Sequence, residues 1–129
     1  MNDETLLLRQ VNPAWVQEGH ITSQAFRPTP KDKKQLSVYD GNLITAENAW
    51  RHFTHTLGHS SIGVMAVTVS ECEGQELTVR PDPEPFPEHA VIDFGEFAEN
   101  QIKTKAKHLK VAAELRGWLF NPTGSDSRN

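Results

Sequence analysis

The chain has 129 residues, of which 36% are hydrophobic and 23% charged, with a formal net charge of −4. This fits one folded, soluble domain rather than a disordered chain, and the acidic balance argues against dedicated nucleic-acid binding. Cys72 is the only cysteine, which excludes an internal disulfide and a thiolate zinc site built from one chain, and suits a reducing cytoplasm.

The N-terminal "MNDETLLLRQ" begins acidic and does not read as a signal peptide. No apolar run approaches the roughly 20 residues of a membrane helix, so no membrane span is expected. "TLLLRQV" (5–11) reads as a first strand, stopped by Asn12-Pro13 because proline lacks an amide donor. "HITSQAF" (20–26) carries β-branched and aromatic residues and reads as a second strand. "RPTPKDKK" (27–34) is a proline-broken loop. "QLSVYDGN" (35–42) is a third strand ending in the turn dipeptide Asp40-Gly41.

A helix is expected over 45–57. Thr45 supplies the N-cap, Ala46, Ala49, Trp50, Phe53 and Leu57 form an apolar stripe, and Gly58 can end it in a left-handed conformation. "SIGVMAVTVSE" (61–71) is the strongest strand pattern, with "CEGQ" as a turn and "ELTVR" (76–80) as the returning arm of a hairpin. Prolines at 81, 83, 85 and 87 favour an extended polyproline-type segment. "HAVIDF" (89–94) follows as a strand, buried on both faces at Ala90–Ile92. A long helix covers 96–116, with acidic residues at its start, lysines after them and Phe97, Ile102, Ala106, Leu109 and Ala113 as its core stripe. "WLF" (118–120) returns as a short strand. Residues 1–120 therefore form one α+β domain, a mainly antiparallel sheet with two helices against it, and 121–129 form a flexible tail.

Several residues stand out chemically. Arg9 interrupts an apolar strand, and a buried guanidinium needs a partner. The candidates are an anionic ligand or an internal acid such as Asp40 or Asp93. His89 sits at the mouth of a buried strand. It is either an acid or base or a pin for the proline segment through backbone hydrogen bonds. On a strand, His89 and Asp93 share a side but stand about 13 Å apart, so they are no direct pair. His52, His55 and His59 have the spacing of a metal face, but Gly58 breaks the helix before His59 and Arg51 repels a cation. No metal site is expected, and no other cofactor is evident from the sequence, which leaves its identity open. Ser23 lacks a glycine-flanked elbow, and Cys72 lacks a local His-Asn context, so neither reads as a nucleophile. Lys103, Lys107 and Lys110 form a stripe that suits an acidic partner or a solvated face.

Arg9, Ser23-Gln24-Ala25-Phe26, Leu36-Ser37-Val38 and His89-Ala90 together resemble a pattern found in a family of small, largely uncharacterised bacterial proteins. The resemblance covers about two-thirds of the chain and implies no particular activity. A fainter likeness is to small NAD-using toxin folds, which would assign roles to Arg9, Ser23 and Tyr39; no glutamate stands at the late strand where those folds carry one. Two function classes are open. One is an interaction module of antitoxin, immunity or adaptor type, with a protein partner meeting Phe86, Lys103, Lys107 and Lys110. The other is a small enzyme or ligand-binding domain for a nucleotide-like or phosphorylated molecule. There Arg9 would hold the anion, His89 would move a proton, and Ser23 and Tyr39 would position the substrate. Small size and acidic charge favour the first; polar residues inside strands favour the second.

Overall fold

A computed structural model describes residues 1–29 and 33–122. Residues 30–32 of the proline-broken loop and 123–129 of the expected tail lie outside the described residues.

The described residues form seven strands and three α-helices. The strands are β1 (Leu6–Gln10), β2 (Val16–Gln17), β3 (His20–Ile21), β4 (Gln35–Asp40), β5 (Val64–Thr68), β6 (Thr78–Pro81) and β7 (His89–Asp93). The helices are α1 (Ala46–Arg51), α2 (Val69–Gly74) and α3 (Glu99–Arg116). Five strands form one antiparallel sheet in the order β5-β1-β4-β7-β6, and β2 and β3 form a second, two-stranded sheet. The fold is therefore α+β and mainly antiparallel.

Strand alternation gives the main sheet two unlike faces. On one face Leu7, Leu36, Val38, Val67, Ala90 and Ile92 meet Ile102, Ala106, Leu109 and Ala113 of α3. This is the main core, and it uses Ile102, Ala106, Leu109 and Ala113 of the expected stripe; α3 starts at Glu99 rather than at 96, so Phe97 precedes the helix and packs half-buried at the core's edge. Gly117 ends α3 with φ 89°, its N–H returning to the Ala113 carbonyl. On the other face α1 and the 118–120 segment cover only part of the sheet. Leu8, Ala66 and Val64 pack there against Trp50, Phe53, Leu119 and Phe120.

Several segments differ from expectation. The 20–26 stretch is a strand only at His20–Ile21; Ser23–Phe26 coils into a 3-10 turn that buries Ala25 and Phe26. Glu18 and Gly19, both with positive φ, make the tight turn that pairs β2 with β3. The 45–57 helix is α-helical only to Arg51, and a π-helical turn occupies His52–Thr56. There the Thr54 hydroxyl donates to the Trp50 carbonyl at 2.8 Å, competing for the acceptor of a regular helical bond.

The expected 61–80 hairpin is absent. The Thr68 side chain accepts from the Glu71 N–H while the Glu71 carboxylate accepts from the Thr68 N–H, and this capping box starts α2. α2 then carries the chain from β5 at one edge of the sheet to β6 at the other. Cys72, expected in the turn, is buried in α2, and burial, then the charges of Glu71 and Glu73, push its thiol up to about 12. Finally, 118–120 forms one bridge, Phe120 to Val64, rather than a strand. A side chain at Gly63 would sit 2.6 Å from the Phe120 carbonyl oxygen, so glycine permits this approach.

Candidate functional site

The partly covered face of the sheet carries an open groove of about 830 Å³. Its floor is Leu8 and Gln10 of β1, Ser37 and Tyr39 of β4, and His89 of β7, all on one side of the sheet by register. Its walls are Phe53, Leu57 and His59 from the π-helical turn and the residues just after it, and Pro85 and Phe86 from the proline segment.

The proline segment does not run straight. β6 ends at Pro81, the chain bends at 84–85, and the His89 N–H donates to the Phe86 carbonyl at 3.1 Å. This folds Phe86 inward. Its ring centroid lies 5.1 Å from Tyr39, 4.6 Å from His52 and 5.2 Å from His89. Phe86, read from sequence as part of a partner surface, is thus the ring on which the groove's aromatics converge.

His89 is 8% exposed and bonded on both sides. Its Nδ1 lies 2.9 Å from the Asp82 carbonyl oxygen and 3.3 Å from Asp82 Oδ2. Its Nε2 lies 3.1 Å from Ser37 Oγ. Carbonyl and carboxylate oxygens only accept, so Nδ1 donates; in the neutral ring Nε2 then accepts from the serine hydroxyl. The Asp82 N–H donates back to the His89 carbonyl at 2.9 Å, fixing the two residues reciprocally. His89 therefore does pin the proline segment, and it also presents a lone pair to an exposed serine on the groove floor.

Arg9 is held by carbonyls. Its Nε donates to the Ala25 carbonyl at 2.7 Å and its Nη1 to the Ser37 carbonyl at 2.8 Å, with the guanidinium 5.0 Å from the Trp15 ring centroid. It acts where the β1–β4 ladder stops, after the Leu8–Tyr39 pair. The two acids proposed for it are otherwise engaged: Asp93 pairs with Arg80 at 2.9 Å, and Asp40 accepts from the Asn42 N–H. Arg9 still lines the groove.

Tyr39 accepts or donates at 2.8 Å with His52 Nδ1. Burial, reinforced by the Glu88 charge, holds its hydroxyl well above the ordinary tyrosine range. Gln10 is 5% exposed. Its Oε1 accepts from the Ser61 hydroxyl at 2.7 Å, and its Nε2 is the one buried side-chain polar atom without a partner among the described residues.

Of the ligand residues expected from sequence, Arg9, Tyr39 and His89 line the groove, whereas half-buried Ser23 does not. Lys103 and Lys107 are exposed on α3, and Lys110 pairs with Glu114 at 3.0 Å. The three histidines at 52, 55 and 59 turn to separate partners: His52 to Tyr39, His55 to the Trp50 ring and His59, beyond the helix, to the Phe53 ring. Asp82 and Gln10 were not singled out from sequence, and Ser37 stood out only within the Leu36-Ser37-Val38 pattern, with no site role. Ser37 faces outward on a strand, as countless solvent-facing serines do, and only the pairing of β4 with β7 puts it beside His89. Comparison of the chain with family models, with curated proteins and with solved structures gives no match.

Proposed function

We propose that this chain is a small-molecule-binding domain whose groove takes an aromatic carboxylic acid or a derivative of one. The observation that carries this reading is the groove itself: about 830 Å³, with aromatic walls over a floor of a few convergent polar groups. Ligand sites typically have this size and this mixture. Phe86 and Phe53 supply flat apolar surface, and Ser37, His89 and Gln10 supply hydrogen-bonding groups. Arg9 gives the lining positive charge in a chain whose net charge is −4.

The test is titration of isotope-labelled protein with benzoate, and separately with adenosine monophosphate, followed by backbone amide shifts. Benzoate should perturb residues 8–10, 37–39 and 86–89. Phe86→Ala should weaken it about 10-fold, in line with about 0.5–1.5 kcal/mol for a lost aromatic contact. Saturation by the nucleotide alone would move the reading to phosphorylated ligands. Silence of both at millimolar concentration would end it.

One observation favours the interaction-module reading. On the outer side of α3, Val111 and Leu115 are 45% and 85% exposed one turn apart, next to the exposed Lys107. A photo-crosslinker at position 111 should then trap one defined acidic partner, and Leu115→Asp should abolish the adduct. No adduct would leave the groove reading alone.

A further inference from the structure

The groove holds more than a binding surface. Ser37 Oγ and Asp82 flank the His89 ring, at 3.1 Å from Nε2 on one side and at 2.9 Å and 3.3 Å from Nδ1 on the other. They come from β4, β7 and the proline segment, so the sheet rather than a local motif assembles them. The serine is exposed to the groove, whereas the histidine is buried and fixed. That division suits a nucleophile a substrate can reach and a base that cannot swing away. A hydroxyl bonded to a histidine whose other nitrogen is held by acceptors is recognised by geometry and roles, on any fold.

The remaining need is a donor for the charge that develops on a carbonyl oxygen. Gln10 and Ser37 lie on the same face of the sheet, and both line the groove. Gln10 carries the orphaned Nε2, while the same amide's oxygen is held by Ser61. A buried N–H without a partner is costly in a folded protein. Nε2 is closed off from solvent in the unliganded chain, so the amide turns toward the groove to meet an acceptor that arrives with the substrate, and that acceptor would explain its retention.

We propose that Ser37 is the nucleophile of an acyl-transfer site acting on carboxylic esters with an aromatic acyl group, with His89 as general base and Gln10 as oxyanion donor. This rests on the groove reading above. In the first half, Ser37 Oγ bonds to the ester carbonyl carbon and its proton passes to His89 Nε2. The carbonyl π pair moves onto oxygen, against the Gln10 amide. Collapse restores the carbonyl and breaks the bond to the alcohol oxygen, which leaves with the proton from His89. In the second half, water gives its proton to His89 and attacks the acyl-serine. Ser37 then departs with that proton, so ester and water become acid and alcohol. Asp82 is a positioning residue. Its backbone carbonyl, closer to Nδ1 than its carboxylate, sets the tautomer, so loss of the carboxylate alone should matter little.

The experiment uses the full chain with 4-nitrophenyl benzoate as substrate and phenylmethanesulfonyl fluoride as covalent probe, with peptide mapping by mass spectrometry. The expected result is a sulfonyl adduct on Ser37 of the wild-type chain, blocked by benzoate. Ser37→Ala and His89→Gln should lower kcat/KM by about 100-fold or more, the usual scale for losing a nucleophile or its base. Asp82→Asn should lower kcat by less than about 10-fold with KM unchanged, because its carbonyl still orients the ring. Surface histidines can hydrolyse activated esters unaided, so undiminished turnover in Ser37→Ala would overturn the proposal. So would a wild-type chain that binds benzoate yet takes no label at Ser37, an outcome that leaves the groove reading standing. Failure of benzoate to bind, together with no label, would remove both. Labelling is read on the wild-type chain, so a misfolded variant does not decide the matter.

Discussion

Replacing Gln10 by methionine should make this protein more stable and less active. The Nε2 of Gln10 is buried without a partner, and leaving such a donor unsatisfied costs about 1–3 kcal/mol. The substitution removes that group. It also removes the 2.7 Å bond from Ser61 to Oε1, worth roughly 0.5–1.5 kcal/mol. Ser61 is not orphaned in turn, since its hydroxyl still reaches the Gly63 carbonyl at 2.9 Å and accepts from the Gly63 N–H at 3.2 Å. Methionine is close to glutamine in shape, so no large cavity opens. The balance is a gain of about 1 kcal/mol, or a Tm rise of roughly 3–6 °C for a chain of this length. Urea and thermal unfolding followed by circular dichroism would measure it, with ester turnover on the same samples. Destabilisation by more than about 1 kcal/mol would mean that Nε2 makes a stabilising bond in solution, and the orphan-donor argument would fall. Stabilisation with unchanged turnover would refute only the oxyanion role.

Arg9→Met should cost about 2–4 kcal/mol in urea unfolding, because two carbonyls lose charge-assisted donors, and Arg9→Lys should recover only part of it; a loss below about 1 kcal/mol would contradict the view that Arg9 closes the end of the β1–β4 ladder. Tyr39 is the only tyrosine, so absorbance at about 295 nm reports it alone. Its folded value is raised, so its contribution to stability is complete below the unfolded value of about 10 and declines as pH rises through it; native-state ionisation near 10 would sink this reading. Glu71 has the opposite sign: burial opposes ionisation, but the bonds from Arg116 and Thr68 outweigh it and lower its carboxyl. Glu71→Gln should therefore be destabilised relative to wild type above pH 4.5, the difference shrinking as pH falls through the lowered folded value, and a difference undiminished at low pH would refute the assignment.

The elements that were legible in the sequence are those whose burial is written in one local period. The stripe Ile102, Ala106, Leu109 and Ala113 announces α3, and the apolar run Ala90–Ile92 announces an interior strand buried on both faces. The α+β class follows from their order. The misread segments are those where a polar side chain overrides that period. "VTVSE" has the composition of a strand, yet Thr68 and Glu71 cap each other and turn the chain into a helix. The signal, Thr-x-x-Glu, was present in the sequence, and the β-branched run outweighed it. Losing that turn also loses the topology, because β5 and β6 then look like hairpin neighbours when they are opposite edges.

The candidate site divides along the same line. Arg9 and His89 were visible because each is a charged or ionisable residue set into an apolar strand, a local contradiction that asks for a partner. Their partners were not visible, because they are backbone carbonyls and a serine, which carry no distinguishing pattern. Ser37 lies 52 positions from His89 and meets it only through the β4–β7 register. Sequence could thus find the residue that needs an explanation, while the fold supplies it. The proline segment shows the two acting together. Its stiffness was legible, and its use was not: by bending at 84–85 and closing the turn before His89, it sets Asp82 behind the imidazole and Phe86 above it. A segment that only had to join β6 to β7 could be short and flexible. One that must hold an acceptor against Nδ1 and a ring over the groove loses less conformational entropy if proline has already restricted it. The histidine stands at the mouth of a buried strand because the strand, the serine beside it and the proline segment before it meet only there.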